Sequence, residues 1–208
     1  MLCTPNASDL LLVIDVQNDF VTGSVAIDGA PAIVPVINAV SPRFEQTAFT
    51  LDWHPKTHIS FASSHEGKRP GDVVQVAYGP QALYADHCVQ GAWGAALDER
   101  LDLTRAVLRL HKGCRQDVDS FSAFTENDRV TTTGLAALLH ARQVRRIFLA
   151  GLSMYGCVRH SALDARKAGF EVFIVADACR ARPSAHNAQF AQELTDAGVV
   201  FLNAADIG

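Results

Sequence analysis

The chain has 208 residues, 49% of them hydrophobic and 19% charged, which excludes an intrinsically disordered segment and suits one domain, 1–208, with a sizeable core. A formal net charge of -4 leaves no basic footprint for nucleic acid or an anionic membrane surface, and no apolar run approaches the roughly 20 residues of a membrane span. The N-terminus has no basic n-region of a signal peptide, and five cysteines without a CxxC spacing point to reduced thiols in a cytoplasmic protein, not to a disulfide framework or a thiolate zinc site.

Leu10–Asp15 is an apolar run closed by an acid, which reads as a strand buried on both faces with Asp15 at its C-terminal end. The Asn-, Asp- and Gly-rich loop after it leads to a helical pattern over Ala32–Val40, where Pro35 is tolerated only in the first turn. Thr47–Leu51 is a second strand, followed again by an acid, Asp52. From Trp53 to about Thr104 no strand or helix rhythm emerges except a short helical stretch at Gly94–Glu99. A long insertion of this kind, about 53–104, is usually a lid or binding loop, and it holds His54, His58, His65 and His87. Arg105–Leu110 resumes the strand pattern and runs into Lys112. Gly134–Gln143 reads as an amphipathic helix and Ile147–Ala150 as a buried strand; a helix then begins near Cys157, with Val158, Ala162, Ala165 and Ala168 at helical spacing. Phe170–Ala176 is a fifth strand ending at Asp177, Ser184–Ala197 a helix with Ser184 as N-cap, and Val199–Leu202 a sixth strand.

Strands alternating with helices predict an α/β fold, a three-layer α/β/α arrangement of Rossmann type around a six-stranded, mainly parallel sheet. Such folds bind ligands beyond the carboxyl ends of their strands, and four different strands deliver Asp15, Asp52, Lys112 and Cys157 to that rim. Asp15, Lys112 and Cys157 form a first constellation. An ammonium and a helix N-terminus favour a thiolate, and a carboxylate can take the thiol proton and return it; the competing reading is a structural Asp–Lys pair. Asp52 and His54 share a face if the segment is extended, and His87 offers a third metal ligand, with His58 as an alternative or additional one. One divalent ion would suit this nitrogen and oxygen set, zinc, ferrous iron or manganese, and the ligands do not choose among them. His65, His111, His140, His160 and His186 read as structural or exposed.

LVIDVQNDF at 12–20, DWHP at 52–55 with HISFASSH at 58–65, DHCVQG at 86–91, KG at 112–113 with DSFSAF at 119–124, and the turn from Gly151 to Val158 resemble the bacterial nicotinamidases. These form a branch of the isochorismatase-like cysteine hydrolases. The resemblance implies a six-stranded parallel sheet and hydrolysis of nicotinamide to nicotinate and ammonia through a cysteine thioester, in salvage of NAD precursors. Asp15, Lys112 and Cys157 match the family's catalytic triad, and Asp52, His54 and His87 match the ligands of a metal, zinc foremost, that binds the pyridine nitrogen. Phe20 matches a ring-packing position. The backbone N–H groups of Ser153 and Cys157 match the oxyanion hole, and the Leu152–Ser153 bond falls where the family has a cis peptide. The implied partner is a small-molecule amide, with a homo-oligomer as the common assembly. Three departures cluster near the pocket: Ser153-Met154-Tyr155 in place of Ala-Thr-Asp, Tyr84-Ala85 in place of Trp-Pro, and Ser24 in place of a glycine. Tyr84 can still stack on a pyridine ring. The departures keep open another carboxamide or carbamoyl substrate and, more remotely, a non-catalytic metal-binding domain. A vinyl ether hydrolase of the isochorismatase type would need neither the cysteine nor the ligand set.

Overall fold

The computed structural model describes residues 3–208; Met1 and Leu2, part of the N-terminal stretch read above, lie outside them. In chain order the strands are β1 (Asp9–Ile14), β2 (Gln46–Asp52), a short pair β3 (Val73–Val76) and β4 (Gly79–Ala82), then β5 (Ala106–Lys112), β6 (Arg146–Leu152), β7 (Glu171–Arg180) and β8 (Val200–Leu202). β3 and β4 pair antiparallel with each other. The other six form one sheet in the order β5-β2-β1-β6-β7-β8, and every neighbouring pair in it is parallel. The helices are α1 (Asn18–Val21), α2 (Ile33–Val40), α3 (Leu135–Ala141), α4 (Arg159–Lys167) and α5 (Asn187–Asp196).

Alternate residues of a strand face opposite ways, and the central strands divide their apolar side chains accordingly. Leu10, Leu12, Ile14, Ile147, Leu149, Val172 and Ile174 pack with Leu135 and Leu139 of α3, Ala162 and Ala165 of α4 and Leu194 of α5. Leu11, Val13, Phe148, Ala150 and Val175 pack on the other face with Ile33, Val34, Ile37 and Val40 of α2. Both faces are therefore covered, which is why β1 is buried at every position and reads as an unbroken apolar run. β5 lies at the sheet edge, and its burial alternates, with Val107 exposed and Leu108 and Leu110 packed on the core.

At Gly151 of β6 the backbone of β1 leaves no room for a side chain. The Gly151 φ is +117°, and a Cβ there would lie 2.1 Å from the Ile14 carbonyl oxygen, so no other residue fits where these two strands run toward the rim.

Four local expectations are corrected. β7 continues to Arg180 through a register shift between Leu149 and Gly151 of its neighbour, so Asp177 lies inside the strand, not at its end. Ser184 does not cap α5: the chain turns once more after Pro183, His186 occupies the cap position, and the Ser184 hydroxyl accepts from the His186 amide at 3.2 Å. Gly94–Glu99 holds one 3-10 turn, Trp93–Ala95, because the backbone returns to extended geometry at Ala96. The 53–104 insertion is not without regular structure, since β3 and β4 lie within it; four-residue strands around Tyr78 are too short to show a period.

Candidate active site

The C-terminal ends of β1, β2, β5 and β6 meet at one rim. Asp15 directly follows β1 with φ of 49°, Asp52 and Lys112 are register partners ending β2 and β5, and Cys157 lies in the tight turn Met154–Val158 between β6 and α4. The Lys112 ammonium is buried at the centre. It sits 2.9 Å from Asp15 Oδ2 and 2.5 Å from Asp52 Oδ1, donates to the Ser120 carbonyl at 2.9 Å, and reaches toward Cys157 Sγ at 3.5 Å. One cation thus joins the two constellations that the sequence presents separately, with Asp52 shared between them. Asp15 Oδ1 accepts from the Thr50 hydroxyl at 2.6 Å, whereas Oδ2 receives no aligned donor, and carboxylate oxygens of Asp15 and Asp52 lie within 4.8 Å of the Cys157 sulfur and of each other.

Burial dominates the proton affinities here. It pushes the Asp15 carboxyl up to about 6, with the Asp52 charge adding and Lys112 opposing. Burial likewise pushes the Cys157 thiol well above its ordinary range; Lys112 works against this, and Asp15 and Asp52 reinforce it. Burial thus favours the thiol at Cys157, from which the neighbouring carboxylate can take the proton, while Lys112 favours the thiolate. For Lys112 burial pulls downward, but the two carboxylates outweigh it and keep the ammonium charged.

Asp52, His54 and His87 are all buried, and one donor atom from each lies within 4.8 Å of the others. His54 Nδ1 is 2.9 Å from the Gly113 carbonyl and His87 Nδ1 is 2.8 Å from the Ala85 carbonyl. A ring nitrogen facing a carbonyl carries the proton, so each Nε2 keeps its lone pair for a ligand. Burial pulls His54 down to about 4, which keeps the ring neutral; at Asp52 burial pushes the carboxyl up, but the Lys112 ammonium outweighs it and holds Asp52 below the usual carboxylate value. A carboxylate and two imidazoles, each with its Nδ1 turned to a backbone carbonyl, suit a divalent ion with open coordination positions. His58 stacks on His54 with centroids 4.1 Å apart, but Ser60 Oγ at 2.7 Å and the Val118 carbonyl at 3.3 Å engage its two nitrogens. His111 stacks on Trp53 and His140 on Phe170, in keeping with structural roles.

Between the thiol and the imidazoles lies a cavity of about 110 Å³, the size of one small planar molecule. Phe20 and Tyr84 line it, each edge-on to His87 at 5.5 and 5.8 Å between centroids. The Leu152–Ser153 peptide is cis, and Ser153, Gly156 and Cys157 complete the wall beside the sulfur. Val25, Ile27 and Arg182 also line the cavity and were not singled out from the sequence; Asp119 and Phe121, which line it too, belong to the DSFSAF block but were given no role. Arg182 follows the end of β7 and donates to the Val25 carbonyl, so the rule that found Cys157 after β6 could have found it. Asp119 carries no such signal, because its place depends on Gln81 of β4, which donates to its Oδ2 at 3.1 Å, while Tyr78 donates to Gln81 at 2.7 Å.

The isochorismatase domain profile matches residues 9–206. The chain is 44% identical over 199 residues to the nicotinamidase of Acinetobacter baylyi, covering 95% of this chain and 93% of that one. A nicotinamidase/pyrazinamidase of Acinetobacter baumanii superposes with a TM-score of 0.94 at 37% identity, over 97% of this chain and 98% of its own. The pyrazinamidase of Pyrococcus horikoshii in complex with zinc superposes with a TM-score of 0.76 at 28% identity, over 94% and 99% of the two chains.

Proposed function

The chain belongs to the isochorismatase domain family, and from that premise we propose that it is a nicotinamidase, converting nicotinamide to nicotinate and ammonia through a thioester on Cys157. One cavity, walled on one side by a buried thiol with its carboxylate and ammonium and on the other by a carboxylate–imidazole donor set, carries this reading. A primary carboxamide on a pyridine ring needs both: a nucleophile for the carbonyl carbon, and a group that fixes the ring through its nitrogen.

Asp15, whose Oδ2 faces the Lys112 ammonium at 2.9 Å but receives no aligned hydrogen bond, takes the thiol proton. The sulfur attacks the carboxamide carbon, a C–S bond forms, and the carbonyl π electrons move to oxygen. Lys112 offsets the negative charge that passes from Asp15 to sulfur, and the Ser153 and Cys157 N–H groups receive the oxyanion. Collapse of the tetrahedral species breaks the C–N bond, and ammonia departs with the proton from Asp15. Asp15 then deprotonates a water, which attacks the thioester and breaks the C–S bond, and the thiol regains its proton. Asp52, His54 and His87 would hold the metal, which when bound supplies a Lewis acid for the lone pair of the ring nitrogen. The zinc of the Pyrococcus horikoshii complex favours zinc over iron or manganese. His58 would serve as a packing support for His54, not as a ligand.

Of the residues that depart from the family pattern, Tyr84 and Ser153 line the cavity, whereas Met154 and Tyr155 pack against the core. Tyr84 in that wall can still stack on a pyridine ring, which favours nicotinamide over a linear amide. The setting is recycling of a pyridine nucleotide precursor in the cytoplasm; among the described residues no helix is long and apolar enough to cross a membrane. Purified chain given nicotinamide should release ammonia and nicotinate in equal amounts, and should act on nicotinamide better than on benzamide or a linear amide. Turnover of the linear amide alone would overturn the assignment.

Gly113 gives a test of the metal set. Its φ is +63° and a Cβ there would lie 2.5 Å from His54 Cε1, so Gly113→Ala must displace the ring. Zinc affinity, measured by competition with a chromophoric chelator, is expected to fall about 10- to 100-fold. Unchanged affinity would mean that His54 is not a ligand.

A further inference from the structure

Most buried serine hydroxyls near the rim are engaged: Ser60 with His58, Ser120 with the Ser122 carbonyl, and Ser161 with the Ala123 amide. Ser153 is different. It lines the cavity beside Cys157, and no hydrogen bond among the described residues uses its hydroxyl. Its backbone is fixed, since its carbonyl accepts from the Gly156 amide at 2.9 Å and the Val158 amide at 3.2 Å. One rotatable bond is left to the side chain. Across the turn stands Gly156, also in the cavity wall, where a Cβ would fall 2.8 Å from Ser153 Oγ with only one other atom, Ser153 Cβ, within 4 Å. Glycine at 156 is what leaves the hydroxyl its place.

We propose that the Ser153 hydroxyl, seated by Gly156, donates a hydrogen bond to the oxyanion that forms when Cys157 attacks an amide, beside the backbone N–H of the same residue. This rests on the hydrolase reading above. The two donors belong to one residue and so address one oxygen. The pinned turn fixes the backbone from which the hydroxyl projects, and in a largely apolar cavity a donor beside developing charge is worth more than in water. The interaction strengthens as the carbonyl oxygen becomes an oxyanion, so it acts on turnover more than on substrate binding.

Ser153→Ala is expected to lower kcat for nicotinamide about 10- to 100-fold, with KM within about 2-fold of wild type. Gly156→Ala, which drives the hydroxyl from its place, should lose a similar factor, and the double variant no more than the worse single. Pyridine-3-carboxaldehyde gives a readout without turnover. The Cys157 sulfur adds to its carbonyl carbon while Asp15 takes the thiol proton, which leaves an alkoxide in the place of the oxyanion, and the affinity of this adduct should fall in Ser153→Ala by a similar factor. Wild-type kcat together with wild-type aldehyde affinity in Ser153→Ala, or losses that add in the double variant, would overturn the proposal. If Gly156→Ala does not fold, the two Ser153→Ala measurements decide alone. A wild-type chain inert toward nicotinamide but forming the aldehyde adduct would sink the nicotinamidase reading, and the aldehyde affinities would still decide the role of Ser153.

Discussion

Cys157→Ala is expected to lower nicotinamide turnover by roughly 10⁵- to 10⁶-fold, to the background of the assay. The size follows from what remains. Without the sulfur there is no covalent route, and the one hydroxyl beside it in the wall, Ser153, has a far higher ordinary pKa than a thiol. Direct attack by water would have to use Asp15 as base with no nucleophile positioned by the turn. The substitution is also gentle on the fold. Burial favours the uncharged thiol at Cys157, so its loss leaves the Lys112 ammonium between the same two carboxylates, 2.9 and 2.5 Å away, and the buried charges unchanged. The melting temperature should therefore stay close to wild type while activity vanishes, and the aldehyde adduct should disappear with it. Retention of more than about 1% of activity would remove the thioester from the mechanism.

The strands could be read because their burial is simple. β1 is covered on both faces, so Leu10 to Ile14 form an unbroken apolar run, and the acid after it stands where the sheet ends. The rule that parallel sheets bind ligands at their carboxyl edge then brought Asp15, Asp52, Lys112 and Cys157 together, and the geometry joins them in one cluster. What escaped the sequence depends on neighbours that lie far off along the chain. The pairing of Asp52 with Lys112 needs the register of β2 on β5, which no local pattern encodes. The upward push on the Cys157 thiol comes first from burial, which the sequence does not display, and is reinforced by Asp52, which the sequence places with the metal ligands and not beside the sulfur. His58 has the spacing of a ligand from His54, but Ser60 and Val118 occupy its nitrogens. The β3–β4 hairpin is too short to reveal a period, and with it went the Tyr78–Gln81–Asp119 chain that ties the hairpin to the cavity wall.

Asp15→Asn should reduce kcat/KM by about 10³- to 10⁴-fold and change the shape of the pH profile. In the wild type Asp15 must be ionised to accept the thiol proton, and burial has raised its carboxyl from 3.8 to about 6. The sign is direct. As pH falls through about 6 the carboxylate takes a proton from solvent, the lone pair on Oδ2 is lost, and kcat/KM should drop about tenfold for each further pH unit. An unburied aspartate would put that limb near 4. Asparagine keeps the shape and can still accept from the Thr50 hydroxyl, and Lys112 keeps Asp52, so the folded state should survive. It has no titrating oxygen, so the limb near 6 should vanish from whatever activity remains. Loss of metal through protonation of its ligands would also reduce activity in acid, although burial holds His54 neutral down to about 4. Metal content measured across the same range separates the two. A limb that persists in the asparagine variant, or that moves with the metal content, would assign the base to another group.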